Sequence, residues 1–282
     1  MKNFSNDMLN KIVCGRFELE LNKTLIMGVL NVTPDSFSDP GLFFDAGKAV
    51  ERAKQMADEG TDIIDVGGES SRPNAEPVSE EEELKRVAPI IKKLAEEINV
   101  PISIDTHKPA VAEECIKLGA HIVNDITGLR NKEMLKVVAR YKVPIIIMHM
   151  KGEPKNMQQN PEYKDVVDEI KFYFKDRINA ARNAGINQII IDPGIGFGKT
   201  TKHNLQILNR LKEFETLGCP ILVGPSRKSF IGNITGMNVN ERLEGTLAAV
   251  SIAAMNGANI IRVHDVKECK RAIQIADAIK YV

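Results

Sequence analysis

The sequence predicts an α/β fold, a single (β/α)8 TIM barrel preceded by a short N-terminal β-hairpin, and three observations carry that expectation. Short apolar runs alternate with amphipathic segments of helical period along the chain, and counting them gives eight strand-then-helix units. The runs lack polar alternation, as in III at 189–191, which is the pattern of parallel strands buried on both faces. Polar residues recur where the runs end, and barrel enzymes carry their sites at the C-terminal ends of their strands. An open doubly wound sheet is the competing expectation, but no Gly-x-Gly-x-x-Gly fingerprint supports it.

The hairpin is expected over 12–21, where apolar and polar residues alternate around Gly15, and it would lie across the barrel floor. Residues 24–30 are apolar and end at Asn31, followed by a turn-rich segment holding Phe37 and Asp39. A helix from about Asp45 to Gly60 carries Ala46, Val50, Ala53 and Met56 at helical spacing and stops at the glycine. Strand 62–66 leads into GGESSRPN, after which Ser79 and Glu82 form a capping box for a helix reaching about Asn99. The acidic run 80–83 reads as a complement to that helix dipole rather than as a metal site. Strand 101–104 runs to Asp105 and a helix follows to Leu118. Strand 120–123 runs to Asn124 and Asp125, followed by helix 131–141. Strand 143–147 runs to Met148 and His149, followed by helix 161–184.

Segment 189–199, IIIDPGIGFGK, is then an apolar run, an abrupt carboxylate at Asp192 and a glycine-rich turn. Its end with Thr200 mimics the GK[ST] of a phosphate-cradling loop, but Pro193 fills the position that needs the first glycine, which excludes that reading. Helix 203–217, strand 219–223, the loop GPSRKSF, helix 240–256, strand 259–263 and helix 266–279 complete the series.

A chain of 282 residues, 43% hydrophobic, has enough apolar residues for one large core, so a single domain over 1–282 is expected. Thirty-eight basic and thirty-eight acidic residues give a net charge of zero, which argues against nucleic acid or an anionic membrane as partner and favours a small ligand. The four cysteines are far apart with no C-x-x-C pair, as expected of reduced, buried thiols in the cytoplasm rather than a zinc site. There is no apolar signal core and no run long enough to span a bilayer.

The strand ends collect Asn31, Asp65, Asp105, Asn124, Met148, Asp192, Ser226 to Lys228, and Arg262 with His264. The carboxylates and amides accept hydrogen bonds from a donor-rich head, such as an amino-substituted heterocycle. Arg72, Lys228, Arg262 and His264 suit an oxyanion, with charge-assisted bonds of about 1.5–3 kcal/mol each. Each residue also has a duller reading: Asp65 holding a loop, His264 pairing with Asp265, Arg262 serving an internal ion pair. His107, His121 and His203 read as surface or turn residues, and His149 stays open. No Ser/His/Asp order, H-E-x-x-H pair or catalytic cysteine context is present.

Taken together, GVLNVTPDSFSD (28–39), DVGGESSRP (65–73), SIDT (103–106), NDITG (124–128), MHMKGEP (148–154), DPGIGFGK (192–199), SRKSF (226–230) and RVHDV (262–266) resemble the dihydropteroate synthase family over nearly the whole chain. The resemblance implies condensation of 6-hydroxymethyl-7,8-dihydropterin diphosphate with p-aminobenzoate to give 7,8-dihydropteroate and pyrophosphate, a step of folate synthesis. It implies that Asp105, Asn124, Asp192 and Lys228 bind the pterin, with Met148 and Phe197 packing against it. Asn31 would ligate Mg²⁺, and Arg262 and His264 would hold the diphosphate with Asn31 and Ser71. Phe37, Asp39, Ser71, Arg72, Pro73, Phe197 and Ser229 would surround p-aminobenzoate. Catalysis would rest on Asp105, Lys228, Asn31, Arg262 and His264, and a homodimer through the later helices is expected. Two alternatives share the pterin pocket: a methyltransferase acting on a folate methyl group, against which SRKSF and RVHDV count, and a non-catalytic pterin-binding protein.

Overall fold

The computed structural model describes residues 11–32, 46–70, 76–152 and 156–282. Phe37, Asp39, Ser71, Arg72 and Pro73 therefore lie outside the described residues.

Two short strands, β1 (Lys11–Cys14) and β2 (Phe17–Glu20), pair antiparallel about Gly15, whose φ of +61° suits the tight turn. Eight parallel strands follow: β3 (Leu25–Asn31), β4 (Ile63–Gly67), β5 (Ile102–Asp105), β6 (Ile122–Asp125), β7 (Ile145–Met148), β8 (Ile189–Asp192), β9 (Leu222–Val223) and β10 (Ile260–Val263). They hydrogen-bond in the order β8-β7-β6-β5-β4-β3-β10-β9, and a parallel bridge from Ile191 to Ile221 joins the two ends into a barrel. The helices are α1 (Ala46–Asp58), α2 (Glu80–Glu97), α3 (Pro109–Lys117), α4 (Lys132–Tyr141), α5 (Val166–Asn183), α6 (Thr201–Asn209), α7 (Ser229–Thr235), α8 (Leu243–Met255) and α9 (Val266–Lys280).

The period of two along each strand explains both cores. Ile26, Ile64, Ile104, Val123, Ile147, Ile191 and Ile261 face outward into the layer shared with the helices. Leu25, Met27, Ile63, Ile122, Ile146, Ile190, Leu222 and Ile260 face inward at the N-terminal end, where Ile12 and Cys14 of the hairpin close the floor. Two residues beyond that apolar layer stand Asp65, Asn124, Met148, Asp192 and Arg262. The barrel interior thus changes from hydrocarbon to polar groups at the mouth.

The structure moves several boundaries. The helix expected over 161–184 begins only at Val166, with Asp165 accepting from the N–H groups of Val167 and Asp168. The segment expected as helix 203–217 is α6 followed by a 3-10 turn over Leu211–Leu217. The loop GPSRKSF runs into the unforeseen α7, which is too short and too Gly-interrupted to show a helical period. The acidic run 80–83 is not uniformly a solvated dipole partner: Glu83 is fully buried and, with Glu69, binds Lys108 Nζ. All four cysteines are buried thiols. Among the described residues no helix is long and apolar enough to cross a membrane.

Candidate active site

Strand register brings the mouth residues together. Asn31 lies opposite Gly67, Gly67 opposite Asp105, and Asp105 opposite Asn124, a continuous row across β3 to β6. On the other side Met148 is the register partner of Asp192. Gly67 leaves room for its neighbour, since a Cβ there would lie 3.5 Å from that of Asp105.

Arg262 ties the row to the last strand. Its Nε donates to Asp65 Oδ2 and its Nη2 to Asp105 Oδ2, both at 2.7 Å, and Asn124 Nδ2 donates to the same Asp65 oxygen at 3.1 Å. Arg262 thus serves an internal ion pair, as its duller reading had it. Asp65, which sequence reasoning collected but gave no role at the site, is fully buried and links β4, β6 and β10. Its Oδ1 has no hydrogen-bond partner among the described residues. Burial raises the Asp105 carboxyl to a pKa of about 7; the Arg262 guanidinium opposes that rise, and the Asp65 charge adds to it. A buried group poised near neutrality beside a fixed cation is characteristic of a reaction centre.

Asp192 accepts from the Gly194 N–H at 2.7 Å, and burial raises its pKa. The turn then places Phe197 with Met148, Met150 and Met157 in a small apolar cluster. Lys228 Nζ sits 4.1 Å from the Phe197 ring centroid, its stem passing where a Cβ on Gly196 would come within 3.1 Å of Lys228 Cδ. The floor of this half is apolar and aromatic, and its rim is a carboxylate and an ammonium.

His264 does not pair with Asp265. Its Nδ1 is 3.1 Å from Ser226 Oγ, while Asp265 is taken by Arg227 through Nη2 at 2.6 Å and Nε at 2.9 Å. Burial and the Arg262 charge hold His264 down to a pKa of about 4, so the ring is neutral at pH 7. Arg227 has a φ of +56°, a strained value for a non-glycine residue; its N–H bond to Thr246 Oγ1 and its carbonyl's bond from Arg242 Nη1 over-determine the turn. Ser229 opens α7 and is exposed. Lys199, the end of the phosphate-loop mimic, is buried at 3% exposure.

The mouth therefore joins three carboxylates, an amide, an apolar wall, a neutral imidazole and the two cations Arg262 and Lys228 around one rim. It can accept hydrogen bonds from a flat donor-rich ring on the β5–β8 side and oppose negative charge on the β10 side. No group of three or more His, Cys, Asp or Glu side chains that could hold a metal exists among the described residues. Asn31 supplies one neutral oxygen at the rim, which suits a hard cation bound chiefly through substrate oxygens and water rather than a protein cage.

A barrel with this rim has clear relatives. The profile of the pterin binding enzymes matches residues 27–264. The Escherichia coli K12 dihydropteroate synthase is 49% identical over 262 residues, covering 92% of this chain and 93% of the relative. The Yersinia pestis dihydropteroate synthase, solved with a sulfonamide drug, superposes with a TM-score of 0.92 at 43% identity, covering 96% of this chain and 100% of that one. The Xanthomonas albilineans dihydropteroate synthase, solved with 7,8-dihydropteroate, superposes with a TM-score of 0.88 at 40% identity, covering 96% and 99%. The chain belongs to the pterin binding enzymes and, within them, to the dihydropteroate synthases. That membership makes it a transferase of folate biosynthesis.

Proposed function

We propose that the chain, acting as one barrel domain in the cytoplasm, condenses 6-hydroxymethyl-7,8-dihydropterin diphosphate with p-aminobenzoate, releasing pyrophosphate and 7,8-dihydropteroate. The observation that carries this is the split rim: carboxylates, an amide and Lys228 over an apolar wall on one side, and Arg262 with His264 on the other. The ligands of the two solved relatives, a sulfonamide drug and 7,8-dihydropteroate, support the same pairing of substrates.

In this reading Asp105, Asn124 and Asp192 accept from the donor edge of the pterin, Lys228 donates to it, and Met148 and Phe197 pack on its faces. Arg262 uses two of its five N–H donors on Asp65 and Asp105, so others remain for the diphosphate, which His264, Asn31 and Ser71 also contact. Mg²⁺, held by Asn31 together with the diphosphate, would supply charge neutralisation of the leaving group. Phe37, Asp39, Ser71, Arg72, Pro73 and Ser229 surround the aminobenzoate with Phe197.

The chemistry needs no protein nucleophile. The bond from the pterin methylene carbon to the diphosphate oxygen breaks, and the cation left on the carbon is delocalised into the ring beside the Asp105 carboxylate. The neutral aniline nitrogen then forms the C–N bond and releases a proton. The rim's work is preorganised charge: cations on the departing diphosphate and a carboxylate beside the developing cation. Exposed Ile252 and Met255 on α8 and Ile275 and Ile279 on α9 form the face through which two copies would pair.

Incubating the purified chain with both substrates and Mg²⁺ and resolving the product by mass tests the assignment. Formation of 7,8-dihydropteroate is expected; binding of the dihydropterin diphosphate without conversion would point to a non-catalytic pterin-binding protein.

A further inference from the structure

Behind the pterin half of the rim lies a second, enclosed cation. Lys199 Nζ donates to Phe197 O at 2.9 Å and to His149 O at 3.2 Å, and it lies 3.1 Å from His149 Nδ1. An ammonium carries three N–H donors, and these three acceptors match them. Accepting through Nδ1 requires a neutral His149, and burial together with the Lys199 charge holds that ring down to a pKa of about 2. The ring is fixed edge-on against Tyr173, at 5.0 Å between centroids.

No carboxylate forms an ion pair with Lys199 among the described residues, yet one faces it across a single residue. The Gly194 N–H is bound to Asp192 Oδ1 on one side, while a Cβ on Gly194 would lie 3.3 Å from Lys199 Nζ and 2.0 Å from His149 O on the other. Gly194 has a φ of +69°, so glycine serves both the conformation and the close approach. The backbone is thereby sandwiched between the carboxylate and the ammonium.

We propose that Lys199 is a positioning residue for the pterin site: its buried charge keeps Asp192 ionised from behind, and its hydrogen bonds fix the carbonyls that set Phe197 in place. The inference rests on the reading of Asp192 as a pterin contact. Phe197 inherits its position because its own carbonyl is one of the three acceptors.

The charged and titratable groups around Lys199 come from each packed element. Asp192 of β8 stabilises the ammonium and Lys228 opposes it, while His149 follows β7 and is neutral. His203 on α6 feels the Lys199 charge, and Arg130 and Lys151 act on His149. Burial brings Lys199 itself down to about 7, so its ammonium is half formed at neutral pH and complete below it, and it acts on Asp192 alongside the Gly194 N–H, Lys228 and Arg262. Removing that charge lets the Asp192 pKa rise further, so pterin affinity becomes steeply pH-dependent, weak at low pH and recovering as pH rises.

The test is equilibrium binding of 6-hydroxymethylpterin, which carries no phosphate to titrate, between about pH 5.5 and 7.5. Lys199→Met removes charge and donors; Lys199→Gln removes the charge but keeps an amide donor and guards against misfolding of the first variant. Both are expected to weaken binding about tenfold relative to the parent at the acid end, with the deficit closing towards neutral pH. Asp192→Asn is expected to weaken binding relative to the parent by a factor that does not shrink as pH rises, and Lys199→Gln added to it should have little further effect. Parent-like binding by Lys199→Gln, or a loss of the same size at every pH, would overturn the inference while Asp192→Asn stays impaired. If Asp192→Asn itself binds like the parent, the reading of Asp192 fails first and this inference falls with it.

Discussion

Asp105 stands between a guanidinium and a second carboxylate, and that position gives it a pH signature. In the free chain its carboxyl titrates near 7 because burial outweighs Arg262, so the carboxylate form grows as pH rises through neutrality. The kcat/KM for dihydropterin diphosphate is therefore expected to rise with pH through about 7, as a free-enzyme group controls that parameter. Asp105→Asn should lower turnover on the order of 10²–10³-fold, the usual effect of losing one preorganised charge-stabilising contact, and should remove that limb of the profile while leaving circular dichroism unchanged. Steady-state kinetics across pH, set against the variant, checks both. Asn31, Asp105, Asn124, Asp192, Arg262 and His264 were legible because each ends or follows an apolar run. The pairing of Asp65 with Arg262, 197 residues apart in sequence, was not, since it depends on the stagger of strands around the closed barrel. Nor was the choice of Ser226 over Asp265 as the partner of His264. Arg227 decides it, and its left-handed backbone has no sequence signal.

Among the elements, the hairpin does the work of a floor. Ile12 is 1% exposed against Leu25, Met27, Ile63 and Ile260, none of which could stay dry without a cover. Ile12→Ala is expected to destabilise the chain by about 2–5 kcal/mol, measured by urea unfolding, with the KM values unchanged because the rim is at the opposite end. Alternation around Gly15 made this hairpin readable, a glycine stop made α1 readable and a Ser79 cap made α2 readable to within a few residues. The helix α7 was hidden because seven residues, SFIGNIT, hold no full amphipathic period. Glu83 was misjudged for a related reason: a run of four glutamates looks uniformly solvated, yet helical rotation turns the last of them inward to Lys108.

At the scale of the molecule, eight parallel strands set the polar ends of an apolar series on one rim, and the same closure leaves an outer face on α8 and α9 with Ile252, Ile275 and Ile279 each more than half exposed. Sedimentation equilibrium is expected to find a dimer. Ile275→Asp with Ile279→Asp should shift it to monomer, since two buried like charges per copy would face each other across a symmetric interface. The barrel itself was legible from the count of units and their unalternated strands. The exposed apolar stripe on α8 and α9 was not, because an apolar helix stripe serves equally to pack on a barrel. The central claim is that charge preset at the rim drives diphosphate loss from the pterin. The most direct test follows pyrophosphate release from dihydropterin diphosphate with Mg²⁺, with and without p-aminobenzoate, in the parent chain and in Asp105→Asn. Sustained release that needs p-aminobenzoate, yields dihydropteroate and collapses in the variant is the expected result; release at parental rate in Asp105→Asn, or none from the parent, would contradict the account.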